Sequence, residues 1–146
     1  MRTSLYAFGL LLALAAAPAC DDDEDDTLAN NTVQLQATLN GAQEVPATTS
    51  TATGSFTGTY NTNTRLISYT VTYQGLTPTA GHIHQAAPGV NGPIIVPFAN
   101  VSTSPITGSE TLSEENGAKL LAGETYTNLH TTALPGGEIR GNITVQ

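Results

Sequence analysis

Two histidines stand one residue apart in "AGHIHQ", and they are the part of the sequence best suited to chemistry. On a β-strand, residues i and i+2 face the same side, so His82 and His84 project together while Ile83 points into the core. The chain has one further histidine, His130 in "TNLHT". We expect its strand to lie beside the first one, where three neutral imidazoles suit copper or zinc. The pattern therefore indicates a metal site, with copper as the candidate cofactor.

A polar cluster without metal is the alternative interpretation of the same histidines. Their ring nitrogens would then bond to Glu138, Tyr126 or loop carbonyls. Glu138 and Arg140 in "GEIRG" also share a strand face. Either Glu138 accepts from a histidine N–H and Arg140 contacts an anion, or the two form a cross-strand ion pair, which we favour.

Glu44 in "GAQEVP" is a further candidate at a strand end. Its carboxylate either bonds loop amides or approaches the histidines, and the sequence does not choose between these two roles.

The sequence carries little that indicates an enzyme. Serines occur without the "GxSxG" elbow of the α/β-hydrolases, and no glycine-rich phosphate loop opens a helix. The adjacent acids Glu114 and Glu115 suit a helix start better than a glycosidase pair, whose carboxylates converge across a cleft. We therefore favour a non-catalytic module and leave the question of an enzyme open.

Short alternating runs separated by turn residues predict an all-β protein. "TVQLQATL" and "RLISYTVTY" each place apolar side chains on one face, while "GPIIVPF" is hemmed by prolines and predicts an edge strand or loop. One helical segment is predicted after Ser113, which suits an N-cap, and it ends at Gly123. Seven or eight strands without helical crossovers predict an antiparallel sandwich or barrel.

The N-terminus is typical of an exported lipoprotein. Residues 1–19 predict a signal peptide, with an apolar stretch that ends in small residues just before Cys20. The chain has no second cysteine, so lipidation of Cys20 is the interpretation we favour over a stray thiol. Residues 20–29 include six consecutive acids and predict a disordered tether. A single domain is expected over residues 30–146.

The charge of the chain is concentrated in that acidic run. The formal net charge is −8, but from Thr27 onward there are six acids and three bases, a net charge of −3. Basic residues form no stripe, so a nucleic-acid partner is not expected.

Four segments, taken in order, resemble the CHRD domain, a module named for chordin and also found in bacterial secreted proteins. They are "LNGAQEVP" (39–46), "GLTPTAGHIHQAAPGVNGPII" (75–95), "LLAGETYTNLHT" (120–131) and "GGEIRGNI" (136–143). The resemblance implies an immunoglobulin-like β-sandwich or barrel with a distant similarity to copper/zinc superoxide dismutases. Those enzymes carry a His-x-His pair at their copper site, but this chain lacks their fourth copper histidine, so dismutase activity is not expected.

These observations lead to one hypothesis and one rival. The hypothesis is a CHRD-domain lipoprotein of the bacterial cell envelope, at the outer membrane or cell surface, that acts as a binding or structural module. Its partners would be the membrane, through lipid on Cys20, and a protein or glycan; inner-membrane retention stays open. The rival is a copper-handling or redox protein that uses His82, His84 and His130.

Overall fold

Nine strands and one helix follow one another along the part of the chain that the structure describes. The structure is a computed structural model and describes residues 31–146. The strands are β1 (Thr32–Asn40), β2 (Thr53–Asn61), β3 (Leu66–Gln74), β4 (Ala80–Gln85), β5 (Ile94–Pro97), β6 (Ile106–Thr111), β7 (Thr125–His130), β8 (Ile139–Asn142) and β9 (Thr144–Val145). The helix α1 spans Glu114–Leu121 between β6 and β7, and a 3₁₀ turn spans Gly41–Gln43 after β1.

All strand pairs are antiparallel, and the sheet order is β5-β4-β7-β8-β1-β2-β3-β6, with β9 beside β1. The two ends of this order approach each other across the core. Phe98, just after β5, packs on Tyr69 of β3 with ring centroids 4.9 Å apart. The hydroxyl of Tyr73 donates to the carbonyl of Val101 at 2.8 Å. The sheet therefore curls into a nearly closed barrel or sandwich, which confirms the predicted all-β class.

Period-two patterning places the core where the sequence predicts it. Leu35, Ala37 and Leu39 of β1 are buried and alternate with exposed polar residues. On β3, Ile67 and Val71 are fully buried, as predicted for that face. The strand with the two prolines, β5, lies at one end of the sheet, as expected for an edge. The last predicted strand is divided in two, because β8 ends at Asn142 and β9 starts two residues later.

The helix forms as its end signals predict. The Ser113 side chain accepts a hydrogen bond from the Asn116 amide at 3.1 Å, which satisfies one free N–H of the first turn. Past the other end, Gly123 adopts a φ of 72°, the left-handed conformation that ends many helices. No helix among residues 31–146 is long and apolar enough to cross a membrane. The predicted signal peptide, Cys20 and the acidic run lie outside the described residues.

Candidate metal centre

The three histidines lie together on the face of β4 and β7 that points away from the hydrophobic core. In the pairing of β4 with β7, His82 lies opposite Asn128 and His84 opposite Tyr126, and His130 follows at the end of β7. Ile83 points the other way and is 1% exposed. The predicted adjacency of the two histidine strands and the shared direction of the HxH pair are both present.

This face is buried although it is polar. Every residue of β7 from Thr125 to Leu129 is buried, so both faces of the strand are covered. Leu129 packs in the hydrophobic core, while Asn128 on the other side is 3% exposed. A strand that is buried on both faces shows no hydrophobic alternation, and here one side holds polar groups that need partners.

Backbone carbonyls orient two of the rings. Nδ1 of His84 donates to the carbonyl of Gly92 at 2.9 Å, and Nδ1 of His130 donates to the carbonyl of Pro135 at 2.9 Å. In His84 this bond leaves the lone pair on Nε2, which is how histidine ligands are commonly held. Nε2 of His84 is buried and has no hydrogen-bond partner.

The ring nitrogens converge closely enough for one ion. One ligand nitrogen from each of the three histidines lies within 4.8 Å of the others. Nδ1 of His82 and Nε2 of His130 are 3.1 Å apart. When each metal–nitrogen bond is about 2.0–2.1 Å long, two imidazole nitrogens on one metal lie about 2.8–3.0 Å apart at a right angle and about 3.3–3.4 Å apart at a tetrahedral angle. Small side-chain rotations would therefore bring all three nitrogens to bonding distance.

Other predicted site residues surround the cluster. The Tyr126 ring stacks on His84 with centroids 4.7 Å apart and an interplanar angle of 2°. The Arg140 guanidinium also lies on the Tyr126 ring, 3.3 Å from its centroid, in a cation–π contact. Glu44 is 5% exposed, and burial raises the pKa of its carboxyl group, which Arg140 and Asn128 only partly oppose. The groups that act on this carboxyl include the Asn128 side chain, which also contacts His130, and the backbone of the loop residue Val45, so both predicted roles of Glu44 stay predictions.

The favoured ion pair between Glu138 and Arg140 is not formed. The Glu138 carboxylate accepts hydrogen bonds from Ser50 at 2.7 Å and Thr131 at 2.6 Å. Glu138 precedes β8, and its side chain bonds to these two loop residues instead of to a histidine. Arg140 instead donates to the Asn91 side chain at 3.0 Å and to the Val90 carbonyl at 2.6 Å.

Sequence reasoning missed the role of Asn128. Its Oδ1 lies 3.0 Å from Nε2 of His130, and its amide is one of the groups that act on the Glu44 carboxyl. The signal was available, because Asn128 stands two residues before His130 and so shares its strand face. Loop carbonyls were among the predicted partners of the histidine rings, and those of Gly92 and Pro135 take that role.

The electrostatics of the cluster favour the neutral form of His82 and His84. Burial, followed by the charges of His130 and His84, lowers the pKa of His82 from 6.5 to about 4. Burial also lowers the pKa of His84. Neutral imidazoles have the lone pairs that a metal needs, so protons compete weakly for the site near neutral pH.

We expect His82 to make the protein less stable in mild acid. Below about pH 6.5 His82 is protonated in the unfolded chain, whereas in the folded chain it stays neutral down to about pH 4. Its contribution to the free energy of unfolding is therefore complete above pH 6.5 and is lost as the pH falls toward 4. The shift corresponds to roughly 3 kcal/mol, and partial exposure of the ring reduces the expected loss to about 1–2 kcal/mol. Urea unfolding in EDTA at about pH 7 and about pH 4.5 measures it.

His82→Gln is the control for this measurement. The raised pKa of Glu44 changes stability with pH in the opposite direction, because the folded state binds the Glu44 proton more tightly than the unfolded state does. Wild type and His82→Gln share this effect. The difference between wild type and His82→Gln therefore isolates the histidine. Equal losses of stability in the two proteins would contradict the prediction.

Comparison with known proteins supplies a family. The family model described as the CHRD domain matches residues 35–143, which include all three histidines, Glu44 and Arg140. No curated protein and no solved structure matches the chain. A match over most of the chain, with the predicted segments in order, shows that this protein belongs to the CHRD domain family.

Proposed function

We propose that this CHRD domain is a non-catalytic, metal-binding module that holds one copper(II) ion on His82, His84 and His130. The observation that carries the proposal is the convergence of the three imidazoles within 4.8 Å. The unpartnered, buried Nε2 of His84 supports it independently, because a buried acceptor without a donor is costly unless a ligand completes it.

The choice of copper(II) follows from the type of ligand. Imidazole nitrogen suits copper and zinc, and copper(II) binds most tightly among the divalent first-row metals. Copper(I) prefers thiolate and thioether ligands. The chain has one cysteine and one methionine, Cys20 and Met1, and both precede the domain. The site is therefore better suited to copper(II) than to copper(I).

The setting we propose is the bacterial cell envelope, with lipid on Cys20 as the anchor. Its support is the order of the N-terminal segments: an apolar stretch, small residues, the lone cysteine and then six acids. A charged run next to an anchor stays in water and holds the domain away from the membrane surface. In that position the domain would bind metal outside the cytoplasm.

Calorimetric titration of the purified protein with copper(II) and zinc(II) tests the metal site. We expect one tightly bound copper(II) per chain and weaker binding of zinc(II). Copper-loaded protein should also show nitrogen hyperfine splitting from imidazoles in its electron paramagnetic resonance spectrum. His84→Ala and His130→Ala should each weaken binding by roughly a hundredfold, since loss of a ligand costs at least as much as loss of an outer hydrogen-bond partner.

Two variants make the titration decisive. Gln85→Ala alters the neighbouring residue on the same strand and should leave the affinity unchanged. Replacement of all three histidines should remove the tight site while circular dichroism still reports a folded domain. Tight binding that persists in that variant would point to the acidic run at 21–26 and would refute the three-histidine site.

A further inference from the structure

A second concave site lies beside Glu44, apart from the three histidines. It is a cavity of about 620 Å³ between the segments 44–49 and 134–137, with Asn91 at one side. Its apolar walls are formed by Val45, Pro46, Ala47, Leu134 and Pro135. This volume is within the range of sites that hold small organic molecules, which are mostly apolar with a few placed polar groups.

The charged group of this cavity is the buried carboxylate of Glu44, which lines it together with the polar residues Thr48, Thr49 and Asn91. Glu44 lines the cavity, is 5% exposed, and its Oε1 has no hydrogen-bond partner. Gly137, another lining residue, packs directly on the carboxylate, since a Cβ at that position would overlap Oε1. A buried acceptor that has lost water and gained no donor is unfavourable until a ligand supplies one.

The nearest cation does not supply that donor. The two terminal nitrogens of the Arg140 guanidinium bond to Asn91 and to the Val90 carbonyl. Its Nε is itself buried without a partner. Arg140 therefore offsets part of the charge of Glu44 through space, while Oε1 stays without a hydrogen-bond partner.

We propose that this cavity binds a primary alkylammonium group, with the ammonium on the Glu44 carboxylate and the alkyl chain against Pro46, Leu134 and Pro135. An ammonium donates a charge-assisted hydrogen bond, which is about twice as strong as a neutral one. A neutral alcohol fits the same walls but gains less at the carboxylate, and an alkyl carboxylate is repelled. The ammonium comes either from a free amine or from a lysine side chain of another protein.

Binding of three matched probes to metal-free protein in EDTA tests the proposal. The probes are n-butylammonium, n-butanol and butyrate, followed by chemical-shift changes of residues 44–49 and 134–137. We expect n-butylammonium to bind at least about tenfold more tightly than n-butanol, and butyrate not to bind. Equal binding of the amine and the alcohol would overturn the proposal.

Two carboxylate variants separate a specific contact from general charge. Glu44→Gln should abolish the preference for the amine, whereas Glu110→Gln, an exposed acid on β6, should retain it. Retention of the preference in Glu44→Gln would refute the role of that carboxylate. If Glu44→Gln does not fold, Ala47→Phe fills the exposed wall of the cavity and leaves Glu44 in place. It should remove amine binding, and unchanged binding in it would place the amine elsewhere.

A fourth probe, which carries a lysine side chain, identifies the source of the ammonium group. Nα-acetyl-lysine amide, whose side-chain nitrogen is unmodified, presents the same alkylammonium on a peptide backbone. Binding of this probe would extend the site to lysine side chains, and its exclusion would restrict the site to free amines; both results support the proposal. Copper(II) titration of Ala47→Phe keeps the two sites distinct, because this variant alters only a wall of the cavity and should bind copper(II) as wild type does even if the amine fails to bind.

Discussion

Replacing Arg140 with methionine should lower the free energy of unfolding by about 3–5 kcal/mol, because a buried charge is then left without its counter-charge. Arg140 is 1% exposed and is among the largest fully buried side chains. The variant removes the cation that faces Glu44 and the donors that satisfy Asn91 and the Val90 carbonyl. It also removes the contact with the Tyr126 ring. Urea unfolding at neutral pH measures the loss.

A charge-matched control and a double variant test the cause. Arg65→Met alters an exposed arginine and should change stability by less than about 0.5 kcal/mol. Glu44→Gln together with Arg140→Met should recover part of the loss, since the orphaned carboxylate is gone. A cost of less than about 1 kcal/mol for Arg140→Met would show that the buried guanidinium contributes little.

Gly137→Ala should destabilise the protein by about 3 kcal/mol or more, from two causes that act together. Gly137 has a φ of 131°, a conformation that residues with a side chain avoid, and this costs about 1–3 kcal/mol. Its new methyl group would also overlap Oε1 of Glu44. Because Glu44 is buried it cannot swing away freely, so overpacking adds about 1–3 kcal/mol. Thermal or urea unfolding measures the effect.

Two other glycines separate these causes. Gly89 also has a positive φ, 78°, but nothing lies within 4 Å of a Cβ there, so Gly89→Ala should report backbone strain alone. Gly136 has an open position and no positive φ, and Gly136→Ala should be nearly neutral or slightly stabilising. If Gly137→Ala loses no more stability than Gly89→Ala, the steric clash with Glu44 does not contribute to the effect.

The fold was largely predictable because one side of most strands faces a single apolar core. On β1 and β3 the alternation of apolar and polar residues is clear, and the buried face follows directly from it. β7 is different, since "TYTNLH" is buried on both faces and has no such alternation. Its strand character was predictable, but the polar layer that covers it was not.

The candidate site was predictable where it depends on local spacing. The HxH pair shares a face by the geometry of any strand, and His130 joins it once β4 and β7 pair. The roles of Glu44 and Arg140 depend on loops that fold over the sheet from distant positions, such as Asn91, whose side chain donates to the Val45 carbonyl. Glu138 shares a face with Arg140 in sequence, yet its bonds are decided by Ser50 and Thr131. Contacts of this kind have no periodic signal.

The prolines of β5 bear on how copies of this protein behave when they are crowded together. An exposed strand at the end of a sheet can pair with the same strand of a neighbour and begin aggregation. β5 has only four residues, ends at Pro97 and follows Pro93 directly. Proline has no backbone N–H to donate, so this edge is a poor template for another strand. β4, which carries His82 and His84, lies just inside this edge, so we expect substitution of Pro93 and Pro97 to increase association between copies at high concentration.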